Sequence, residues 1–291
     1  MTTATLGQRV KDSSIGVIRG LGDVLGSTIQ VTKEATIDAL RGAGDVGKVA
    51  SGTAAEVVSG AISAAKEVGG EVGTVAKGAV IGALKGMGEV ATVTVGVLSD
   101  TVRVAIKGTG QVGEDVALQT ASLAHSVIAS ARDTGLGVGD AAFGVARGVV
   151  TGAKDFGADL VGIAKGAIEG SIGGAQEIGG DVIEAVRSAA RGLVKGTGDI
   201  GGDVTQVAES AVVGAVQTAR KIGLSVEEAA SAAAQGALEG AGEVGEAAVK
   251  AVTGVLSGTI EGVKVAVKGP APEPTSTDGE SFDDCCCGPH A

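Results

Sequence analysis

The chain contains no tryptophan and no tyrosine, and its only aromatic side chains are Phe143, Phe156 and Phe282. A domain of 291 residues would ordinarily bury several rings, each of about 150–250 Å². Their absence excludes a conventional aromatic-centred core and calls for a thin one with close backbones. Proline is missing from residues 1–269, where average usage of about 5% would place roughly 13. Cysteine occurs only as Cys285, Cys286 and Cys287, so spaced pairs for a disulfide framework do not exist. Positive charge is in deficit: 23 Lys and Arg against 34 Asp and Glu leave a net charge of −11. That balance argues against nucleic acid, whose phosphates need cationic neutralisation, and against strongly anionic membranes.

Long apolar runs are also lacking. The longest uncharged stretch runs from Val116 to Ala131 and includes His125. A transmembrane helix needs about 20 apolar residues, more than this stretch supplies, so no span is expected. Met1 to Gly20 has no apolar segment of signal-peptide type, and the chain is expected to be cytoplasmic.

What is present is glycine, alanine and valine, with 52 Gly, 44% apolar residues and a mean hydropathy of +0.35. A Gly followed closely by an acid and an aliphatic residue recurs at Gly22, Gly44, Gly69, Gly88, Gly110, Gly135, Gly157, Gly179, Gly198, Gly223 and Gly242. The interval averages about 22 residues, with slips of three in either direction. Twenty-two is twice eleven, and eleven residues make three turns of helix. A slip of three costs or adds about one turn, as expected of duplicated helix. The fold is therefore expected to be all-α, built of amphipathic helical repeats, elongated or stacked antiparallel. Residues 1–21 form a lead-in, 22–268 an array of eleven repeats, and 269–291 a flexible tail holding all four prolines.

The template assigns faces. With the marker Gly as zero and about 98° per residue, one side collects Val90, Val95, Leu98, Val102 and Ile106. In the last unit it collects Val244, Val249, Val252, Leu256 and Ile260. The opposite side collects charges such as Glu89, Asp100 and Lys107. Val90 to Ala105 also alternates with period two, so a parallel β-solenoid with one coil per repeat is the competing architecture.

Glycine inside a helix costs about 1 kcal/mol relative to alanine, so these helices need packing or a surface. Stripes such as Gly148, Gly152, Gly157, Gly162, Gly166, Gly170 and Gly174 would let backbones approach closely. Helix starts are legible at Asp181, Asp203 and Ser225, each with Glu or Gln three residues on and a glycine just before. These starts are evenly spaced, one per repeat, and point to separate helices of about 18 residues.

Chemistry-bearing motifs are few. Gly135-Leu136-Gly137-Val138-Gly139 lacks the strand and βαβ context of a dinucleotide site. His125 has no acid within five residues and no cysteine nearby, so it reads as packed or solvated. No catalytic, cofactor-binding or metal-ligating set is assigned. The tail places Cys285, Cys286 and Cys287 between Asp284 and Gly288. Contiguous thiols fit one tetrahedral metal poorly, and the open readings are weak metal binding, acylation, intermolecular disulfides or an incidental exposed tail.

The eleven-residue period and the Val-rich face resemble those of apolipoproteins, synucleins and perilipins. Val31-Thr32-Lys33-Glu34-Ala35-Thr36 and the stretch Val252 to Val263 look synuclein-like in detail. Glycine- and alanine-rich granule-coating phasins and desiccation-protective repeat proteins are looser likenesses. The resemblance implies a non-enzymatic protein coating a lipid droplet, storage granule or membrane interface, peripheral rather than embedded. It departs in charge, since those families carry Lys on the polar flanks. The alternative is a soluble, self-associating helical scaffold or filament, or a stress protectant.

Overall fold

The structure is a computed structural model. It describes residues 7–264 apart from 9, 13, 16–23, 43–45, 112–114, 156, 258 and 261, and leaves the side chains at 42, 46–51, 259 and 264 undescribed. The Cys285–Cys287 cluster, Phe282 and the whole tail from residue 269 lie outside the described residues, as do marker glycines Gly22 and Gly44.

The described chain is helical almost throughout. After helical residues in the lead-in come α1 (Val24–Gly42), α2 (Val46–Val68), α3 (Val72–Val90), α4 (Val95–Gly110) and α5 (Val116–Ala129). A single turn, α6 (Ala131–Thr134), precedes α7 (Val138–Lys154), α8 (Leu160–Glu177), α9 (Val182–Asp199), α10 (Val204–Ile222), α11 (Val226–Val244) and α12 (Glu246–Leu256). Val90 to Ala105, the segment with strand-like alternation, is helix at both ends with a short extended link between.

One expectation fails at the C-terminal end. The helical reading of 22–268 stops at Leu256, and a short antiparallel hairpin follows, Thr259–Ile260 with Val263–Lys264. Gly262 sits at φ +81°, where a turn is favoured over continued helix. Val263 is buried and Ile260 packs on the core, so the hairpin covers ground beside α11 that another helix would otherwise need.

The turns repeat. Gly135, Gly157, Gly179, Gly201 and Gly223 each have φ between +61° and +75°, and they are evenly spaced, one per repeat. Around them, Leu136, Ala158, Gly180, Gly202 and Leu224 donate back to carbonyls five residues earlier, the Schellman closure of a helix C-terminus. The left-handed position is Gly201 where the sequence marker is Gly198, and Gly88 and Gly110 lie inside helices. Side-chain N-caps follow the last four of these turns: Asp159, Asp181, Asp203 and Ser225 accept from backbone amides in the first turn of α8, α9, α10 and α11, whereas α7 starts at Gly137 without one. At α9 the box is half closed, because Glu184 accepts from Ser188.

Alternate helices pack most closely. In one layer α1 lies on α3, α5 on α8, and α8 on α10. In the other α2 lies on α4, α4 on α7, α7 on α9, and α9 on α11. These pairs run parallel: Gly144, Gly148 and Gly152 of α7 meet, in order, Leu98, Ser99–Val102 and Arg103–Ile106 of α4. The core between the layers is aliphatic, with Ile128, Ile163, Ile168, Ile172, Leu193 and Val194 buried.

Candidate functional site

The glycine stripes form the contact surface of most stacked pairs. An added Cβ at Gly148, Gly166 or Gly192 would stand 2.5 Å from the carbonyl oxygen of Ser99, Ala117 or Phe143. At Gly174 and Gly240 the figure is 2.6 Å, to His125 and Arg191. The offset along the chain is the same in every one of these pairs, from Ser99 to Gly148 as from Arg191 to Gly240. The stripes let helix axes come close enough for Cα–H groups to point at carbonyls of the neighbouring helix. In α1 threonines serve the partner face: Thr28, Thr32 and Thr36 are buried, and each donates to the carbonyl four residues back at 2.7–2.8 Å. Gly82 of α3 fits directly over Thr32 and the Ile29 carbonyl.

Beside the stripes runs a ladder of polar pairs, four of them ion pairs and one a histidine–carboxylate hydrogen bond. Arg103 faces Asp155 at 3.6 Å, His125 faces Glu177 at 2.5 Å, and Arg147 faces Asp199 at 2.8 Å. Glu169 faces Lys221 at 3.1 Å, and Arg191 contacts Glu243. The first members are one repeat apart, and each partner lies 52 positions further along. The ladder therefore joins consecutive helices of each layer in turn. Arg191 also stands 5.2 Å from the ring centre of Phe143, a cation–π contact back across the preceding joint, between α7 and α9. Arg187 grips Glu239 through Nε and Nη2, and this pairing raises its pKa further.

Two ladder carboxyls are held below their usual range. At Asp155 the main cause is the hydrogen bond from Lys107; partial burial opposes it and the Arg103 charge assists. At Asp199 burial pushes upward most strongly, but Lys195 and Arg147 together outweigh it.

The residues expected to form an apolar surface are distributed differently. Leu98, Val102, Ile106, Val252 and Leu256 are at most 1% exposed, so they face protein and not solvent. Val90, Val249 and Ile260 are half-buried against the same core, and Val95 is half-buried beside Gly144. Val244 is 38% exposed and covers Gly198. Among the described residues the large apolar side chains that reach solvent are scattered: Leu118, Ile183, Ile222, Val244 and Val255.

A shallow groove of about 430 Å³ lies where α3, α5 and α8 meet, lined by Lys77, Leu118, Ser122, His125 and Glu169 among others. Lys77 donates to Ser122 at 3.0 Å within it. Ser122 and Ser126 stand one repeat before Gly144 and Gly148, so serine replaces the stripe glycine here. Among the described residues no three His, Cys, Asp or Glu side chains converge as a metal set. No described helix is long and apolar enough to cross a membrane.

The ladder escapes a reading built on helix faces alone. Its signal in the sequence is a column at 103, 125, 147, 169 and 191 whose charge is complemented at 155, 177, 199, 221 and 243. Comparison with known protein families and with curated proteins finds no match for this chain.

Proposed function

We propose that this protein is a non-enzymatic structural scaffold, a helical-repeat array that works through the surfaces of its stacked helices. The observation that carries this reading is the burial of Leu98, Val102 and Ile106 beneath the glycine stripe of α7. An apolar face already covered by its own neighbour needs no oil or lipid to satisfy it. Each such side chain contributes about 1.5–3 kcal/mol on burial, so opening the layers in water carries a barrier that only re-burial in a droplet would recover.

The coating of a lipid droplet, granule or membrane interface remains the competing proposal. It would place the chain at the cytoplasmic side of such a surface, with the layers opened and each amphipathic helix laid flat. The amphipathic pattern of the core helices supports it, as does a core without large aromatic anchors.

Circular dichroism and flotation on neutral-lipid particles separate the two. The scaffold reading expects a helical chain with a cooperative thermal transition in plain buffer and no flotation. A chain disordered in buffer that becomes helical and floats with the particles overturns it in favour of the coat.

A further inference from the structure

Near-identical repeats raise a problem of order. Gly148, Gly170, Gly192, Gly214 and Gly236 recur once per repeat, and each meets backbone of the helix stacked before it in its layer. That central glycine fits several helices, although α10 carries buried Ser210 and Thr218 where α8 has Gly166 and Gly174, and mis-stacking or exchange between copies is the characteristic failure of such arrays.

The ladder breaks that degeneracy at one joint. Its earlier members are Arg103, His125, Arg147, Glu169 and Arg191, and its later members are Asp155, Glu177, Asp199, Lys221 and Glu243. Four joints place a base on the earlier helix and an acid on the later one. The joint of α8 with α10 is reversed, with Glu169 early and Lys221 late.

We propose that the Glu169–Lys221 pair is a key that fixes the order of stacking by favouring α10 over the other helices after α8. If α7, α9 or α11 took the place of α10, Glu169 would face Asp155, Asp199 or Glu243. If α10 stacked on α4, α7 or α9, Lys221 would face Arg103, Arg147 or Arg191. Each of these wrong pairings sets like charges together, and on α5 Lys221 would meet His125 and no acid, while the right pairing sets opposite charges together. The same logic applies between copies: within the ladder, a swapped α10 finds its matching acid only on α8 of the other chain.

The test is refolding of the full chain from denaturant over a range of concentrations, read by light scattering coupled to size exclusion. The double reversal Glu169→Lys with Lys221→Glu keeps the pair but makes all five joints alike. The neutral version, Glu169→Gln with Lys221→Gln, removes the key and cannot fail through repulsion. The control Arg147→Lys keeps every sign. Both double variants are expected to raise the swapped or mis-stacked oligomer fraction about two- to five-fold over the parent, the size of effect expected of one exposed charge pair. Their monomers should keep the parent's helicity and melting temperature. Parent-like monomer yield for both double variants overturns the proposal. So does an equal rise in the Arg147→Lys control, which would mark general sensitivity of the ladder and not a key.

Discussion

A methyl group on Gly192 would stand 2.5 Å from the carbonyl oxygen of Phe143, a residue on a different helix two repeats earlier. Backbone cannot retreat as a side-chain tip can, so the two helices would have to part. Gly192→Ala is expected to cost about 2–3 kcal/mol, in the range of overpacking a tight core. Gly242→Ala, at a helical position with nothing within 4 Å, should instead stabilise by about 0.5–1 kcal/mol. Paired urea titrations check the sign of each. Two changes of the same sign would mean that the stripe is not a contact surface.

The left-handed glycines fail for another reason. Gly179 and Gly201 have open space around them, yet their φ values of +61° and +70° strain any residue with a Cβ. Alanine at either should cost about 1–2 kcal/mol, and asparagine less. Thermal melts of the four variants test this ordering.

Burial also separates the two faces of α4. Leu98→Ala should cost about 2–5 kcal/mol, because it opens a cavity under Gly144. Asp100→Gln, on the exposed face of the same helix, should change stability by no more than about 0.5 kcal/mol. Equal losses in chemical denaturation would mean that the face assignment is wrong.

Acid should weaken the ladder in a defined window. Asp155 and Asp199 bind protons less readily in the fold than in the unfolded chain. Their contribution is complete above the ordinary aspartate value of about 3.9 and is lost as pH falls through the lower folded value. Asp155→Asn with Asp199→Asn should therefore be less stable than the parent at pH 6, with the gap narrowing below about pH 4. A gap that stays constant down to about pH 2 would show that these carboxylates do not act through their charge.

How far the fold could be read beforehand follows from the range of each signal. The missing prolines and the eleven-residue template gave helix, and Asp181, Asp203 and Ser225 gave helix starts, because both depend on residues within one or two turns. The repeat marker fell on Gly198 while the turn used Gly201, since an acid after glycine is common to turn and helix alike. The partner of each apolar face was out of reach. Leu98 and Val102 have the same helical spacing whether they meet lipid or Gly144 and Gly148, and those glycines lie two repeats further along the chain. The C-terminal stop was hidden for the opposite reason: Gly254, Gly258 and Gly262 continue the stripe spacing, but the helix ends at Leu256.

Parallel stacking of alternate helices also has an electrostatic side. Peptide dipoles within one layer all point the same way, so their amino-terminal ends line up along a single rim. Unshielded, such a row of partial positive charges, about half an elementary charge each, would push its members apart as the array lengthened. In the layer of α5, α8 and α10 those ends are occupied by Asp115, Asp159 and Asp203, whose carboxylates accept from the first free amides. Part of the chain's acidity is thus placed where it makes a longer row of aligned helices tolerable.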